Sequence, residues 1–180
     1  MQKNFIFSDT ETTGLWEKDF IQIIQSASIL TDESFKRIDA QNIESRPLPW
    51  VVPQPGAYLV HKKISSLDSN ISHYRMMKDI YDTWEKWSDD KQSIFITYNG
   101  HQFDEELYRR QFYWNLLPPY ITNTNGNGRS DLYFLIILVS YLYPDFIKFN
   151  VNNYDLPILK LDQILPKIGI DVSDAHDALT

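Results

Sequence analysis

With 180 residues, 43% of them hydrophobic and 23% charged, the chain has the size and composition of one globular domain rather than a disordered segment. A formal net charge of −7 argues against a protein that grips a polyanion by bulk attraction, but leaves open a carboxylate site whose charge is cancelled by bound cations. The absence of cysteine excludes disulfides and thiolate zinc sites and fits a reducing cytoplasm.

In chain order, residues 4–8 form a short aromatic-rich apolar run that predicts a buried strand ending at Asp9. Residues 21–30 predict a second strand and 38–45 a third, with a turn over 31–36. Residues 46–57 hold four prolines and a glycine and predict an extended loop. Met77, Ile80, Tyr81, Trp84 and Trp87 recur three or four apart, predicting a helix over 71–87. Residues 93–98 predict a strand, Asn99-Gly100 a turn, and a helix follows from Asp104 toward Trp114. Residues 123–128 read as a flexible Asn/Gly loop. Asp131 then caps the apolar run 132–142, which falls short of the ~20 residues needed to span a bilayer and predicts a buried helix. A short helix is expected over 161–168 despite Pro166, stopped by Gly169, and another starts near His176. Residues 1–13 do not read as a signal peptide. Strands followed by helices give an α/β domain with a mixed sheet.

The stretch Asp9-Thr10-Glu11-Thr12-Thr13-Gly14 carries the chemistry. Side chains two apart on a strand share a face, so Asp9 and Glu11 point into one cleft. Left bare they repel each other, and a hard divalent cation with oxygen ligands removes the repulsion. Gly14 is expected to let the backbone approach a ligand. A lone Asp-x-Glu is common; a hydrophobic strand running into this hexapeptide is far more specific.

Asp-x-Glu-Thr-x-Gly after a first strand resembles the opening motif of the DEDD exonuclease superfamily. Thr97-Tyr98-Asn99 through Phe103-Asp104-Glu105-Glu106 is similar to its second motif, and Ala175-His176-Asp177-Ala178 to the start of the third motif of its histidine branch. Within the superfamily, Pro53-Gln54-Pro55-Gly56-Ala57, Arg110-Gln111-Phe112-Tyr113, Arg129-Ser130-Asp131-Leu132 and Leu156-Pro157-Ile158-Leu159-Lys160-Leu161 resemble the exonuclease I family. The resemblance runs from Phe5 to Thr180. The chain departs from the pattern at His61-Lys62-Lys63-Ile64, and the family's carboxylate five residues after His176 falls past Thr180. The resemblance therefore implies an exonuclease domain over 1–180 that is cut at its C-terminal end, with the family's further domains absent.

What the resemblance implies is an RNase H-like fold with a mixed five-stranded sheet flanked by helices, and a metal-dependent 3′→5′ exonuclease acting on single-stranded DNA. Two Mg²⁺ ions, replaceable by Mn²⁺, would be held by Asp9, Glu11 and Asp104, Glu11 also meeting substrate. For Asp104 the alternative is a helix N-cap. His176 would be the general base. His61, His73 and His101 read as surface or loop residues. Lys160 stands at the position of a substrate-contacting arginine, against an ordinary exposed lysine. Arg129 reaches the DNA backbone or anchors its loop. Leu15 wedges against the terminal base or joins the core, and Phe103 stacks on a base or packs inside. The implied partners are the 3′ end of single-stranded DNA and, through the family's further domains, a single-strand-binding protein; a cytoplasmic monomer without membrane contact is expected. The rival readings are an RNA or short-oligonucleotide exonuclease of the same superfamily and a non-catalytic nucleic-acid-binding module. Residues 173–180 are expected to be mobile, as a helix cut after about a turn has little to hold it.

Overall fold

The computed structural model describes residues 3–15, 20–89 and 92–171. A five-stranded sheet runs in the order β3-β2-β1-β4-β5, from strands β1 (Asn4–Thr12), β2 (Ile23–Thr31), β3 (Arg37–Glu44), β4 (Ser93–Thr97) and β5 (Gly128–Asp131). β2 lies antiparallel to both β1 and β3, while β4 is parallel to β1 and β5 parallel to β4. The helices are α1 (Pro55–His61), α2 (His73–Asp89), α3 (Asp104–Trp114), α4 (Leu132–Leu142) and α5 (Leu161–Ile164), the last continued by a 3-10 turn at Leu165–Ile168. Gly169 closes that turn with φ of 82°, a left-handed conformation that favours glycine. The mixed α/β sheet expected from the resemblance is the sheet that forms.

The main core lies where α2 and α3 cover one face of the sheet. The apolar stripe of α2, with Met76, Met77, Ile80 and Trp84 fully buried, meets Ile6 and Ile23 of the sheet and Leu107 and Phe112 of α3. Trp84 is its centre. Its ring packs edge-on against Phe95 and Phe112, and its indole N–H donates to the Ser28 hydroxyl at 3.0 Å, so its one polar atom is satisfied. A second, smaller cluster joins Ile147, Leu159 and Ile164 to Tyr133, Ile136 and Ile137 of α4.

Four expectations are corrected. β1 does not end at Asp9 but runs on to Thr12, because its polar residues keep pairing with β2. The proline-rich loop gives way to α1, with Pro55 in the first turn, where its missing N–H costs nothing. Helix α4 forms where expected but is not buried: only Ser140 is enclosed, and Phe134, Leu138 and Tyr141 are more than half exposed. His61 and His73 are buried residues of α1 and α2 rather than surface or loop residues. Among the described residues, no helix is long and apolar enough to cross a membrane.

Candidate active site

Strand lengths create the site. β4 pairs with β1 only from Asn4↔Ser93 to Phe7↔Ile96, whereas β1 continues to Thr12 on the β2 side. Beyond Phe7 the β4 edge of β1 is therefore open. The turn after β4 brings the first residue of α3 to it, and the Thr10 hydroxyl donates to Asp104 Oδ1. Asp9 and Glu11 flank Thr10 and follow Phe5 and Phe7 on the opposite face of the strand. Parallel strands that end at one edge thus join two segments almost a hundred residues apart.

Asp104 is buried, and its pKa is raised to about 7, first by burial and then by repulsion from Asp9, against the stabilising bonds from Thr10. Asp9 keeps an exposed side chain, and surface area alone would leave it near its ordinary value. The dense protein on its inner side dominates, however, and raises its pKa to about 6, offset in part by the Thr10 backbone N–H. Two carboxylates held above the usual range, both by burial and Asp104 also by repulsion from Asp9, form a donor set that a divalent cation would stabilise. The structure brings these two together. It does not close all three expected ligands around one point: among the described residues, no three His, Asp or Glu side chains converge closely enough to hold a metal ion. Asp104 is not the N-cap of α3; Phe103 holds that place, and Asp104 is the first helical residue.

The end of the first motif is tied down from several sides. The Thr13 N–H donates to Gln22 O at 2.9 Å, and the Gln54 N–H to Thr13 O at 2.7 Å. The Gln54 side chain accepts the Leu15 N–H at 3.1 Å and lies across Gly14, where an added Cβ would stand 2.4 Å from Gln54 Cδ. Gly14 thus makes room for the Gln54 side chain. His61 accepts the Lys63 N–H on Nδ1 at 3.0 Å, which leaves Nε2–H to donate to Thr12 O at 3.1 Å. Burial lowers the pKa of His61 and favours that neutral ring.

The remaining candidates separate. Leu15 is 69% exposed, so it is a rim residue and not core. Phe103 is partly buried and packs against the main core. Arg129, on β5, pairs with Glu105 Oε1 at 2.5 Å, and Glu105 also accepts the Thr122 hydroxyl at 3.0 Å, which anchors the Asn/Gly loop to α3. Lys160 is exposed, directly before α5 and next to Leu159, whose carbonyl accepts the Tyr98 hydroxyl at 2.5 Å. His176 and the expected mobile segment 173–180 lie outside the described residues. Sequence reasoning gives no part in the site to Thr10 or Gln54, which sit inside recognised motifs but whose long-range partners leave no mark in local sequence; Asp131, expected as a helix cap, also accepts the Asn99 and His101 N–H groups.

No protein-family model matches the chain. It is 30% identical over 179 residues to exodeoxyribonuclease I of Buchnera aphidicola, covering 97% of this chain and 36% of that protein. With the Escherichia coli exodeoxyribonuclease I it shares 29% over 184 residues, 99% of this chain and 37% of the relative. Its structure superposes on E. coli exonuclease I in complex with a dT13 oligonucleotide with a TM-score of 0.87 and 28% identity, covering 98% of this chain and 38% of the other. The zinc-bound form of the E. coli ExoI–ssDNA complex gives 0.87 at 28% identity (98% and 37% covered), and the ExoI/SSB-Ct complex 0.86 at 27% (99% and 39%). The chain spans little more than a third of the length of these relatives. Across nearly all 180 residues, sequence and structure are similar to those of exodeoxyribonuclease I.

Proposed function

We propose that residues 1–180 are an exonuclease domain that releases nucleotides from the 3′ end of single-stranded DNA with the help of divalent cations. The observation that carries this reading is the meeting of Asp9 and Asp104 where β1 outruns β4, both with raised pKa values. Similarity to exonuclease I solved with a dT13 oligonucleotide supports single-stranded DNA as the substrate.

Asp9 and Asp104 would hold the cation, with Glu11 as a further oxygen donor from the same strand face, and two Mg²⁺, or Mn²⁺ in their place, are the proposed ions. Bound there, such an ion supplies positive charge to the phosphodiester and acidifies water. The chain's own residues do the rest. Thr10 fixes one oxygen of Asp104 by donating its hydroxyl proton. The exposed Leu15, held at its backbone by Gln54, offers an apolar edge to the terminal base. Lys160 offers a single positive charge to a phosphate. Arg129, already paired with Glu105, serves to hold its loop. His176 is the proposed general base. A single-strand-binding protein is the proposed partner, through parts of the family's length that these residues do not span, as the ExoI/SSB-Ct complex suggests by analogy. A cytoplasmic monomer completes the proposal.

Two measurements test this. A labelled linear strand with a free 3′ hydroxyl should be shortened from that end, while a 3′-phosphorylated strand and a circular single strand resist; rapid cutting of the circle refutes an exonuclease. Mn²⁺ at ten times its Kd should raise the melting temperature by about 3–6 °C. Asp104→Asn keeps an oxygen for Thr10 but removes the charge, so it should melt higher than the parent without metal and lose the Mn²⁺ shift. No shift in the parent at millimolar Mn²⁺ would exclude the cation site.

A further inference from the structure

Asp131 is the last residue of β5 and the N-cap of α4, and it is 7% exposed. As a cap it needs one bond, and it makes it: Oδ1 accepts the Tyr133 N–H at 2.9 Å. The same carboxylate accepts two more backbone donors from the turn after β4. Oδ1 takes the Asn99 N–H at 2.7 Å and Oδ2 the His101 N–H at 3.0 Å. A helix cap alone gives no reason for a buried carboxylate to grip residues thirty positions upstream.

The gripped residues flank Gly100. Its carbonyl accepts the N–H groups of Phe103 at 3.1 Å and Glu105 at 2.9 Å, which launches α3. Its Cα lies against the candidate ligand, since a Cβ placed there would come within 2.8 Å of Asp104 Oδ2. Thr10 holds the other oxygen of Asp104. Asn99 sits at φ of 57°, a left-handed conformation that disfavours non-glycine residues, so outside bonds help to keep the turn in this shape.

We propose that Asp131 is a positioning residue of the cation site: by fixing the N–H groups on both sides of Gly100, it sets where Asp104 Oδ2 stands. The proposal rests on the reading of Asp104 as a cation ligand. Asp131 touches neither substrate nor metal, and its effect passes through the turn.

The test separates capping from positioning. Serine caps helices about as well as aspartate but is too short to reach Asn99 and His101, so Asp131→Ser keeps the cap and frees the turn. Thermal melting of the 180-residue chain is followed with EDTA and then across a MnCl₂ titration. The Ser variant should melt close to the parent in EDTA yet need about tenfold more Mn²⁺ for the same shift, the scale on which supporting residues act on metal sites. Asp131→Asn, which keeps one acceptor oxygen, should fall between. A Ser variant with the parent's Mn²⁺ titration reduces Asp131 to a cap and overturns the proposal. If the Ser variant fails to melt cooperatively, the Asn variant decides: a weakened titration supports the proposal and an unchanged one overturns it. A parent that shows no Mn²⁺ shift removes the cation reading itself, which is a distinct failure.

Discussion

His73 begins the buried side of α2 with both ring nitrogens enclosed and without a hydrogen-bond partner among the described residues. Burial alone lowers its pKa from 6.5 to about 4. The folded state therefore keeps His73 neutral while the unfolded chain protonates it, and the consequence for stability has a definite sign. Above about pH 6.5 the residue is neutral in both states and its titration costs nothing. As pH falls from 6.5 toward 4 the unfolded state gains a proton the folded state refuses, and stability is lost over that window. The shift corresponds to about 3 kcal/mol at its full extent, as an order of magnitude. Denaturant melts at pH 7.5 and pH 4.5 should therefore show a smaller acid loss in His73→Leu than in the parent, because carboxylate titration elsewhere is common to both. Equal losses would mean that the imidazole finds water or a partner and is not a liability. Sequence alone could not supply this: a histidine carries no sign of whether its helix face is wet or dry, and both His61 and His73 read as surface residues until packing buried them.

At the scale of elements, helices with a strong apolar stripe were legible, and short polar elements were not. The spacing of Met77, Ile80, Trp84 and Trp87 marks α2, which forms within two residues of its expected bounds. β5, with the sequence Gly-Arg-Ser-Asp, has no apolar residue and is a strand only because β4 offers it an edge, pairing Ile94↔Gly128 through Thr97↔Asp131. α1 was hidden by prolines that read as extended chain. In the site, Asp9 and Asp104 were legible because each sits in a motif; that they meet depends on β1 being longer than β4, which no local pattern encodes. The turn between β4 and α3 is where this dependence is most exposed to mutation. At Gly100 an added methyl would lie 2.7 Å from Thr97 Cβ and 2.8 Å from Asp104 Oδ2, so one of them must move. Gly100→Ala should cost about 1–3 kcal/mol of stability through this overpacking. It should also lower Mn²⁺-dependent cleavage by at least tenfold, since α3 would carry Asp104 away from Thr10. A variant with parental cleavage would show that the turn yields without moving the carboxylate.

Across the whole molecule, charge bears on how the proposed single-stranded substrate would be held. Net charge is −7, and five of the 17 lysines and arginines are paired with carboxylates in the fold: Arg75 with Asp79, Lys78 with Asp82, Arg109 and Arg110 with Glu106, and Arg129 with Glu105. These pairs lie at or near the surface and add little stability. With five basic side chains engaged in this way, we expect binding not to rest on a long basic track. A protein that binds single strands through such a track releases one set of counterions per phosphate, and its affinity falls with salt by about −0.7 in log–log slope for each. This chain should behave differently. Binding to a labelled oligodeoxythymidylate, measured by anisotropy between 50 and 200 mM KCl with Ca²⁺ present to support binding, should show a slope of about −1 to −2, the signature of two or three phosphates. Removing divalent cations with EDTA should abolish most of the affinity at every salt concentration, because Asp9, Glu11 and Asp104 would then meet the phosphates with no cation between them. A slope steeper than about −4 that survives EDTA would reveal an extended phosphate-binding surface, and the cation-centred account of substrate binding would fail.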